Sequence, residues 1–272
     1  MSKIKEKIVV IGAGNIGKAI AQGLLDSKII TPSKLTLTRR NTNALKSFAD
    51  KGVKITSDNI AAVRNSSIII LAATPQKMDT ILNEIKDVLI PQKHMLLSIV
   101  TGAEINHFKK ILGDDIPVVR VMPNTAIAIK ESMTCISATA EDKAALETAE
   151  IIFNTVGKTA VINEDLMGPA TALVACGIAF FLRAIRAAGQ GGTEIGFHAE
   201  DAIMMAAQTA KGAASLLANG GYHPEREIDK VTTPQGLTIT GLNQMEHHGF
   251  SSAMITGIVS SAKRAETIMK KE

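Results

Sequence analysis

Tryptophan is absent from this sequence, tyrosine occurs once, and aromatics make up only 3% of it. Platforms on which single-stranded bases could stack are therefore scarce. The 30 Lys and Arg are nearly matched by 26 Asp and Glu, for a net charge of +4. The basic residues are scattered, apart from a short tail of Lys263-Arg264 and Lys270-Lys271, so no nucleic-acid partner is expected. Cysteine is nearly absent too. Cys135 and Cys176 lie far apart, which excludes a disulfide framework and suits a reducing compartment. His94, His107, His198, His223 and the pair His247-His248 show no metal-ligand spacing, so no metal is expected. A signal-peptide pattern is missing, because charges fill Lys3 to Lys7. Long apolar runs are missing as well. The longest, Pro169 to Leu182, stops at Arg183, too short to span a bilayer, and reads as a buried helix. These absences describe a soluble, cytoplasmic protein without a membrane partner.

What is present is an ordinary globular composition, 46% hydrophobic and 21% charged, over a length of 272 residues that suits two domains. Near the start stands Lys7-Ile8-Val9-Val10-Ile11-Gly12-Ala13-Gly14-Asn15-Ile16-Gly17. A short apolar strand ends in G-x-G-x-x-G and opens a helix carrying Ile16, Ile20 and Leu24. In a dinucleotide-binding turn Gly12 permits the tight bend, Gly14 lets backbone approach a pyrophosphate, and Gly17 lets helix pack on strand. The helix N-terminus offers free N–H groups and partial positive charge to the phosphates. In NAD-binding versions an acid about 20 residues on bonds the ribose. Here the second strand ends in Leu37-Thr38-Arg39-Arg40-Asn41, and no acid occurs between Asp26 and Asp50. Arginine attracts a 2′-phosphate that a carboxylate would repel, so NADPH is expected over NADH.

Strand-like and helix-like segments alternate through residue 163. Strands are expected at Lys7–Ile11, Leu35–Thr38, Val53–Thr56, Ser67–Ala72, Met95–Val100, Val118–Met122, Thr134–Ala138 and Lys158–Ile162. Helices are expected to about Lys28, at Thr42–Lys51, Lys77–Val88 and Glu141–Asn154. Short apolar strands alternating with helices predict an α/β domain, a Rossmann-type, doubly wound, mostly parallel sheet. Residues 164–272 carry no convincing strand. Thr171–Ala188, Ala199–Asn219 and Gly249–Met269 read as long helices rich in Ala, Met, Leu and Ile. Such helices bury themselves only partly, so this all-helical domain is expected to pair with a second copy, giving at least a homodimer.

Several segments carry a resemblance. They are Ser57-Asp58-Asn59, Ile68 to Ala72-Ala73-Thr74-Pro75-Gln76, Val119-Arg120-Val121-Met122-Pro123-Asn124-Thr125 and Ala207-Gln208-Thr209. The most specific is His223-Pro224-Glu225 with Asp229-Lys230-Val231-Thr232-Thr233-Pro234-Gln235-Gly236-Leu237-Thr238-Ile239-Thr240-Gly241-Leu242, continued by Gln244 to Phe250. Together they resemble the pyrroline-5-carboxylate reductase family over nearly the whole chain. The resemblance implies an oxidoreductase of proline biosynthesis: NAD(P)H-dependent reduction of 1-pyrroline-5-carboxylate to L-proline, by hydride transfer to the protonated cyclic imine. It implies a Rossmann domain, a helical domain that pairs with another subunit, and a substrate pocket at that interface. By the same resemblance the backbone at Gly236, Leu237 and Thr238 would hold the substrate carboxylate, and the Thr238 hydroxyl would face the imine nitrogen. Thr233 would add a hydroxyl, and Asn124 would lie near the nicotinamide or substrate. Asn59 would lie near the adenine ribose and its phosphate. Ala72, Thr74 and Pro75 complete the cofactor set with Gly12, Ala13, Gly14, Asn15, Ile16, Gly17, Arg39 and Arg40.

The pattern departs from the family after Thr171-Ala172-Leu173. Val174-Ala175-Cys176-Gly177-Ile178-Ala179 replaces a Ser-Gly-Ser-Gly-Pro-Ala run, and Cys176 takes a serine's place beside the substrate. The replacement is more helix-compatible, so a continuous helix is expected there. Gln235 stands where the first glycine of Pro-Gly-Gly is usual, and Ala126 where a proline often follows Asn-Thr. The altered turn leaves room for a catalytically silent NADP-binding paralogue acting as a regulatory or partner subunit. A 3-hydroxyacid-dehydrogenase-like reductase would want a helical lysine, for which Lys211-Gly212 is available in the wrong context.

Overall fold

The computed structural model describes residues 4–269, so the Lys270-Lys271 tail lies outside the described residues. The chain divides into one unit of Met1–Ala175 with Ala262–Glu272 and a second of Cys176–Ser261.

In the first unit β1 (Ile8–Ile11), α1 (Asn15–Asp26), β2 (Leu35–Thr38), α2 (Lys46–Ala49), β3 (Lys54–Thr56), α3 (Asn59–Arg64), β4 (Ile68–Leu71) and α4 (Pro75–Ile85) follow one another. Then come β5 (Met95–Ser98), α5 (Ile105–Leu112), β6 (Val118–Met122), β7 (Ser132–Ala138), α6 (Lys143–Phe153), β8 (Gly157–Val161) and α7 (Met167–Ala170). The strands form an eight-stranded sheet in the order β3-β2-β1-β4-β5-β6-β7-β8. All neighbours pair in parallel except β6 and β7. Every residue of the Ile-Val-Val-Ile run in β1 is buried, as a strand covered on both faces requires. Ile8 and Val10 pack with Ile20 and Leu24 of α1 and with Ile152 and Phe153 of α6. Val9 and Ile11 pack on the other face with Leu82 and Ile85 of α4 and Phe108 of α5. Each such side chain contributes about 1.5–3 kcal/mol by leaving water. β1 lies between β2 and β4, so the connections leave it in opposite directions. The crevice at the C-terminal ends of these strands is where such folds take ligands.

The expected helix at Thr42–Lys51 is instead a 3₁₀ turn, Thr42–Leu45, followed by the single turn α2. The side chain of Asn41 accepts from the Asn43 N–H at 3.1 Å, a local bond that competes with α-helix geometry. Several short helices escaped the sequence reading, α3, α5, and farther on α7 and α10 (Pro224–Asp229), among them. α3 starts where Asp58 accepts from the Ala61 N–H at 2.8 Å, and α5 buries Ile105 and Phe108.

His94 is almost wholly buried beside β5. Its Nδ1 accepts from the Ile90 N–H at 2.8 Å, and its Nε2 has no hydrogen-bond partner among the described residues. A ring that accepts through Nδ1 is neutral. Burial, and then the neighbouring Lys93 charge, hold its pKa below the ordinary 6.5. The unfolded chain therefore binds the proton more readily. Stability is expected to be full above about pH 6.5 and to fall as the pH drops toward the depressed folded value. His94→Asn should flatten that acid-side slope in urea titrations compared at about pH 7.5 and 5.5; an unchanged slope would assign it to other groups.

The second unit holds α8 (Gly177–Glu194), α9 (Ala199–Gly220), α10 (Pro224–Asp229), α11 (Leu237–His247) and most of α12 (Phe250–Met269). α8 and α9 pack along a small-residue seam. A Cβ added to Gly189 would collide with Ile203, and one on Gly192 would come within 2.9 Å of the Ala202 Cβ. Only Gly177, Gly189 and Ala202 are buried in this unit. The reading of Pro169–Leu182 as a short buried helix is corrected on both counts. The run belongs to a helical segment, Glu164–Glu194, of 31 residues, long and apolar enough by length and composition to cross a membrane. Only 22% of its most apolar window is buried, and Leu173, Phe181 and Leu182 are 56%, 61% and 59% exposed. Phe181 and Leu182 lie in a five-helix unit whose three buried residues are all small, so it has no core in which to place them.

Candidate functional site

The glycine turn after β1 is built for close approach. Gly12 has φ +82°, a conformation that side chains resist, and an added Cβ would lie 2.8 Å from the Ala72 carbonyl oxygen. The Gly12 and Ala13 N–H groups donate to the Thr38 carbonyl at 3.2 and 2.9 Å, binding the turn to the end of β2. A Cβ on Gly14 would meet only the Gly12 oxygen, at 3.8 Å, so the space above it is open. Gly17 brings α1 onto β1, with the Val10 Cγ1 3.1 Å from its would-be Cβ. Gly14 caps α1 without a side-chain hydrogen bond, and no acid sits in the first turn. Helical bonding begins with the Lys18 N–H donating to Gly14 at 2.9 Å. The N–H groups of Asn15, Ile16 and Gly17 thus face outward, as an anion requires. A pyrophosphate fits this cradle.

Arg39 leans over the turn, its Nη1 donating to the Ala13 carbonyl at 3.5 Å, and Arg40 is exposed beside it. Asn59 joins them in space. Thr38 Oγ1 donates to its Oδ1 at 2.7 Å, and its Nδ2 donates to Glu84 Oε2 at 3.0 Å. Sequence spacing gave no hint of Glu84, which reaches the end of β2 from α4. Ala72 continues β4, its N–H donating to Ile11 at 2.8 Å. Thr74 caps α4 without a side-chain bond, with Pro75 at the first helical position. Gly12–Gly17, Arg39, Asn59, Ala72, Thr74 and Pro75 therefore gather at the ends of β1, β2 and β4.

Asn124 is only 7% exposed, and its side chain is engaged within this unit. Oδ1 accepts from the Ala126 N–H at 3.1 Å, and Nδ2 donates to the Val174 carbonyl at 3.4 Å. It anchors the stretch in which the sequence departs from the family. That stretch, Thr171–Cys176, is a π-helical turn leading straight into α8. The helix expected there is present, widened by one residue per turn; such widenings recur at functional sites. Thr171 Oγ1 fixes it from below through the Met167 carbonyl at 2.8 Å. Cys176 heads α8, half-buried and free. Arg120, part of the Val119–Thr125 motif, turns out to hold Glu164 at 2.9 Å. The same Glu164 oxygen accepts the Ile105 N–H at 2.7 Å, a link that no local pattern announces.

In the second unit the Gly236 N–H closes a turn onto the Thr233 carbonyl at 2.9 Å. Gln235, third in that turn, is held at φ +57°, at a cost of about 1 kcal/mol relative to glycine. Gly236 caps α11 with no side-chain bond and no acid in the first turn. A Cβ there would lie 2.8 Å from the Thr233 carbonyl oxygen, so the position demands glycine. The N–H groups of Leu237 and Thr238 open the helix toward solvent. Leu237 is 94% exposed, and Thr238 stands exposed beside it. This loop presents amide donors and one hydroxyl with nothing folded over them.

Comparison with known proteins gives a concordant picture. Residues 164–268 match the family model described as pyrroline-5-carboxylate reductase dimerisation. Residues 7–102 match one described as NADP oxidoreductase, coenzyme F420-dependent. The chain is 50% identical over 273 residues to pyrroline-5-carboxylate reductase 1 of Dictyostelium discoideum, covering 96% of this chain and 49% of that one. It thus spans about half the length of that relative. It is 46% identical to pyrroline-5-carboxylate reductase 2 of the same organism, covering 97% of this chain and 93% of the relative. Among solved structures, a pyrroline-5-carboxylate reductase from Coxiella burnetii superposes with a TM-score of 0.93 at 26% identity, covering 97% of this chain and 98% of that one.

Proposed function

The chain belongs to the pyrroline-5-carboxylate reductase family, and from that premise we propose that it reduces the C=N bond of 1-pyrroline-5-carboxylate to give L-proline, with NADPH as reductant. The observation that carries this is 46% identity sustained over 97% of the chain and 93% of the relative. Bound NADPH supplies the hydride. The chain's own residues bind and orient. The first-turn N–H groups of α1 and the open face of Gly14 take the pyrophosphate. Arg39 and Arg40 take the 2′-phosphate, with Asn59 at the ribose, while Ala72, Thr74 and Pro75 line the path onward. Asn124 positions the turn that carries Cys176. The N–H groups of Leu237 and Thr238 take the substrate carboxylate. Thr238 Oγ1 accepts from the imine N–H and so fixes which carbon faces the hydride donor. The substrate brings its own imine proton, so no strong side-chain acid is needed, and positioning supplies the acceleration.

Self-association completes the protein. The second unit pairs with its counterpart in another copy, which buries the apolar faces of α8 and α9. The family model matched there carries dimerisation in its description. Two free cysteines suit work in the cytoplasm.

Thr238→Val is expected to lower kcat/KM for pyrroline-5-carboxylate about tenfold, the worth of one positioned hydrogen bond, with NADPH affinity nearly unchanged. Undiminished turnover would remove Thr238 from the mechanism. Tight NADPH binding by the parent chain without turnover would identify a silent paralogue instead. Replacing Arg39 by Ser and Arg40 by Asp should weaken NADPH at least about 100-fold while sparing NADH, since two charge-assisted contacts of about 1.5–3 kcal/mol each are lost. An unchanged NADPH-to-NADH ratio would make both arginines ordinary solvated charges.

A further inference from the structure

A second cavity, of about 620 Å³, lies in the first unit away from the nucleotide crevice. Its walls come from residues that precede β1, β2 and β3, from the end of α1 and from the stretch that follows it, at the N-terminal ends of the strands. The glycine turn sits at the opposite ends, about 13 Å away along β1. The cavity's size is that of a small-molecule pocket. Ile4, Leu25 and Ile29 supply apolar lining; Lys5, Lys28, Lys34 and Lys51 also border it. No carboxylate lines it. None of these four lysines is in an ion pair among the described residues. Lys34 Nζ donates to the Lys5 carbonyl at 2.6 Å and Lys51 Nζ to Gln22 Oε1 at 2.7 Å, both neutral acceptors. Asp26 is paired with Lys130 at 2.5 Å and also feels the Lys51 charge, which leaves Lys5, Lys28 and Lys34 as the lysines without a carboxylate partner among the described residues.

We propose that this cavity binds a small amphipathic carboxylate, its aliphatic body on Ile4, Leu25 and Ile29 and its charge among the lysine ammoniums. The head group follows from the donors. Lysines are separate point charges, the lining has no arginine fork, and the helical start that borders it, the single 3₁₀ turn Pro32–Lys34, opens on a proline with no N–H to give a tetrahedral phosphate. The apolar lining excludes a fully hydrated inorganic anion.

Octanoate is the probe, titrated into the full-length protein by calorimetry, with methyl NMR on Ile29. Saturable binding that perturbs Ile29, weakens at least tenfold in Lys28→Gln/Lys34→Gln and leaves NADPH affinity unchanged is the expected result. Both substitutions are on solvent-accessible side chains, and far-UV circular dichroism checks that the variant is folded. Absence of saturable binding, equal binding by parent and variant, or displacement of octanoate by NADPH would overturn the proposal. Tighter binding of octyl phosphate than of octanoate would overturn the carboxylate assignment.

Discussion

Gly12→Ala is expected to weaken NADPH binding at least about 100-fold and to destabilise the first unit by roughly 2–4 kcal/mol. Two costs add. At φ +82° a Cβ costs about 1–2 kcal/mol in backbone strain alone. The same Cβ would lie 2.8 Å from the Ala72 oxygen and 3.0 Å from its carbonyl carbon. Both atoms are backbone continuing a buried parallel strand, so no side chain can swing aside. Relief requires moving the turn, which strains the bonds from Gly12 and Ala13 to Thr38 and re-aims the α1 N-terminus. A displacement of about 1 Å is enough to cost two orders of magnitude in a positioned site. Gly14→Ala separates binding from folding. Its Cβ meets nothing closer than 3.8 Å, so stability should hold while the methyl group intrudes on the pyrophosphate. The readouts are thermal or urea unfolding without ligand and NADPH titration by fluorescence. Equal stability of Gly12→Ala and parent would show that β4 yields more easily than its burial implies.

Introducing Phe181→Glu together with Met204→Glu is expected to convert the dimer into monomers, weakening association at least about a thousandfold. Phe181 on α8 and Met204 on α9 are 61% and 60% exposed in the isolated chain. Burial of each against a second copy contributes about 1.5–3 kcal/mol, and a two-fold interface counts each substitution twice. A carboxylate left unpaired in that interface adds a further cost. Because the second unit buries only Gly177, Gly189 and Ala202 by itself, its helices should lose stability along with the partner. Sedimentation velocity reads the association state, and far-UV circular dichroism in urea reads the helices. A variant that remains dimeric at low micromolar concentration would show that α8 and α9 face something other than a second chain.

Much of the first unit was legible because its signals are local. The all-buried Ile8–Ile11 run, the G-x-G-x-x-G that follows, and the apolar Ile68–Leu71 run each state their conformation within a few residues. What was missed has two physical origins. α3 and α5 are a turn or two long, too short for helical periodicity to rise above noise, although Asp58 was a legible cap. The ties of Asn59 to Glu84, Asn124 to Val174 and Arg120 to Glu164 join positions 25, 50 and 44 residues apart, and no spacing rule reaches that far. Pro169–Leu182 misled for a related reason. An apolar run states that it will be covered, not whether by its own chain.

The sequence by itself determined the parts whose demands are met by residue type alone. These are a glycine where φ must be positive, a strand apolar on both faces, a helix start without an acid, and arginines where a ribose acid would stand. Tertiary structure decided which parts meet. Placing β1 between β2 and β4 brings Arg39, Asn59 and Ala72 to one crevice, and a buried Asn124 ties the end of β6 to the turn at Thr171–Cys176. The reason is that a residue's conformation answers to its near neighbours, whereas strand order and long-range hydrogen bonds answer to the burial of the whole chain.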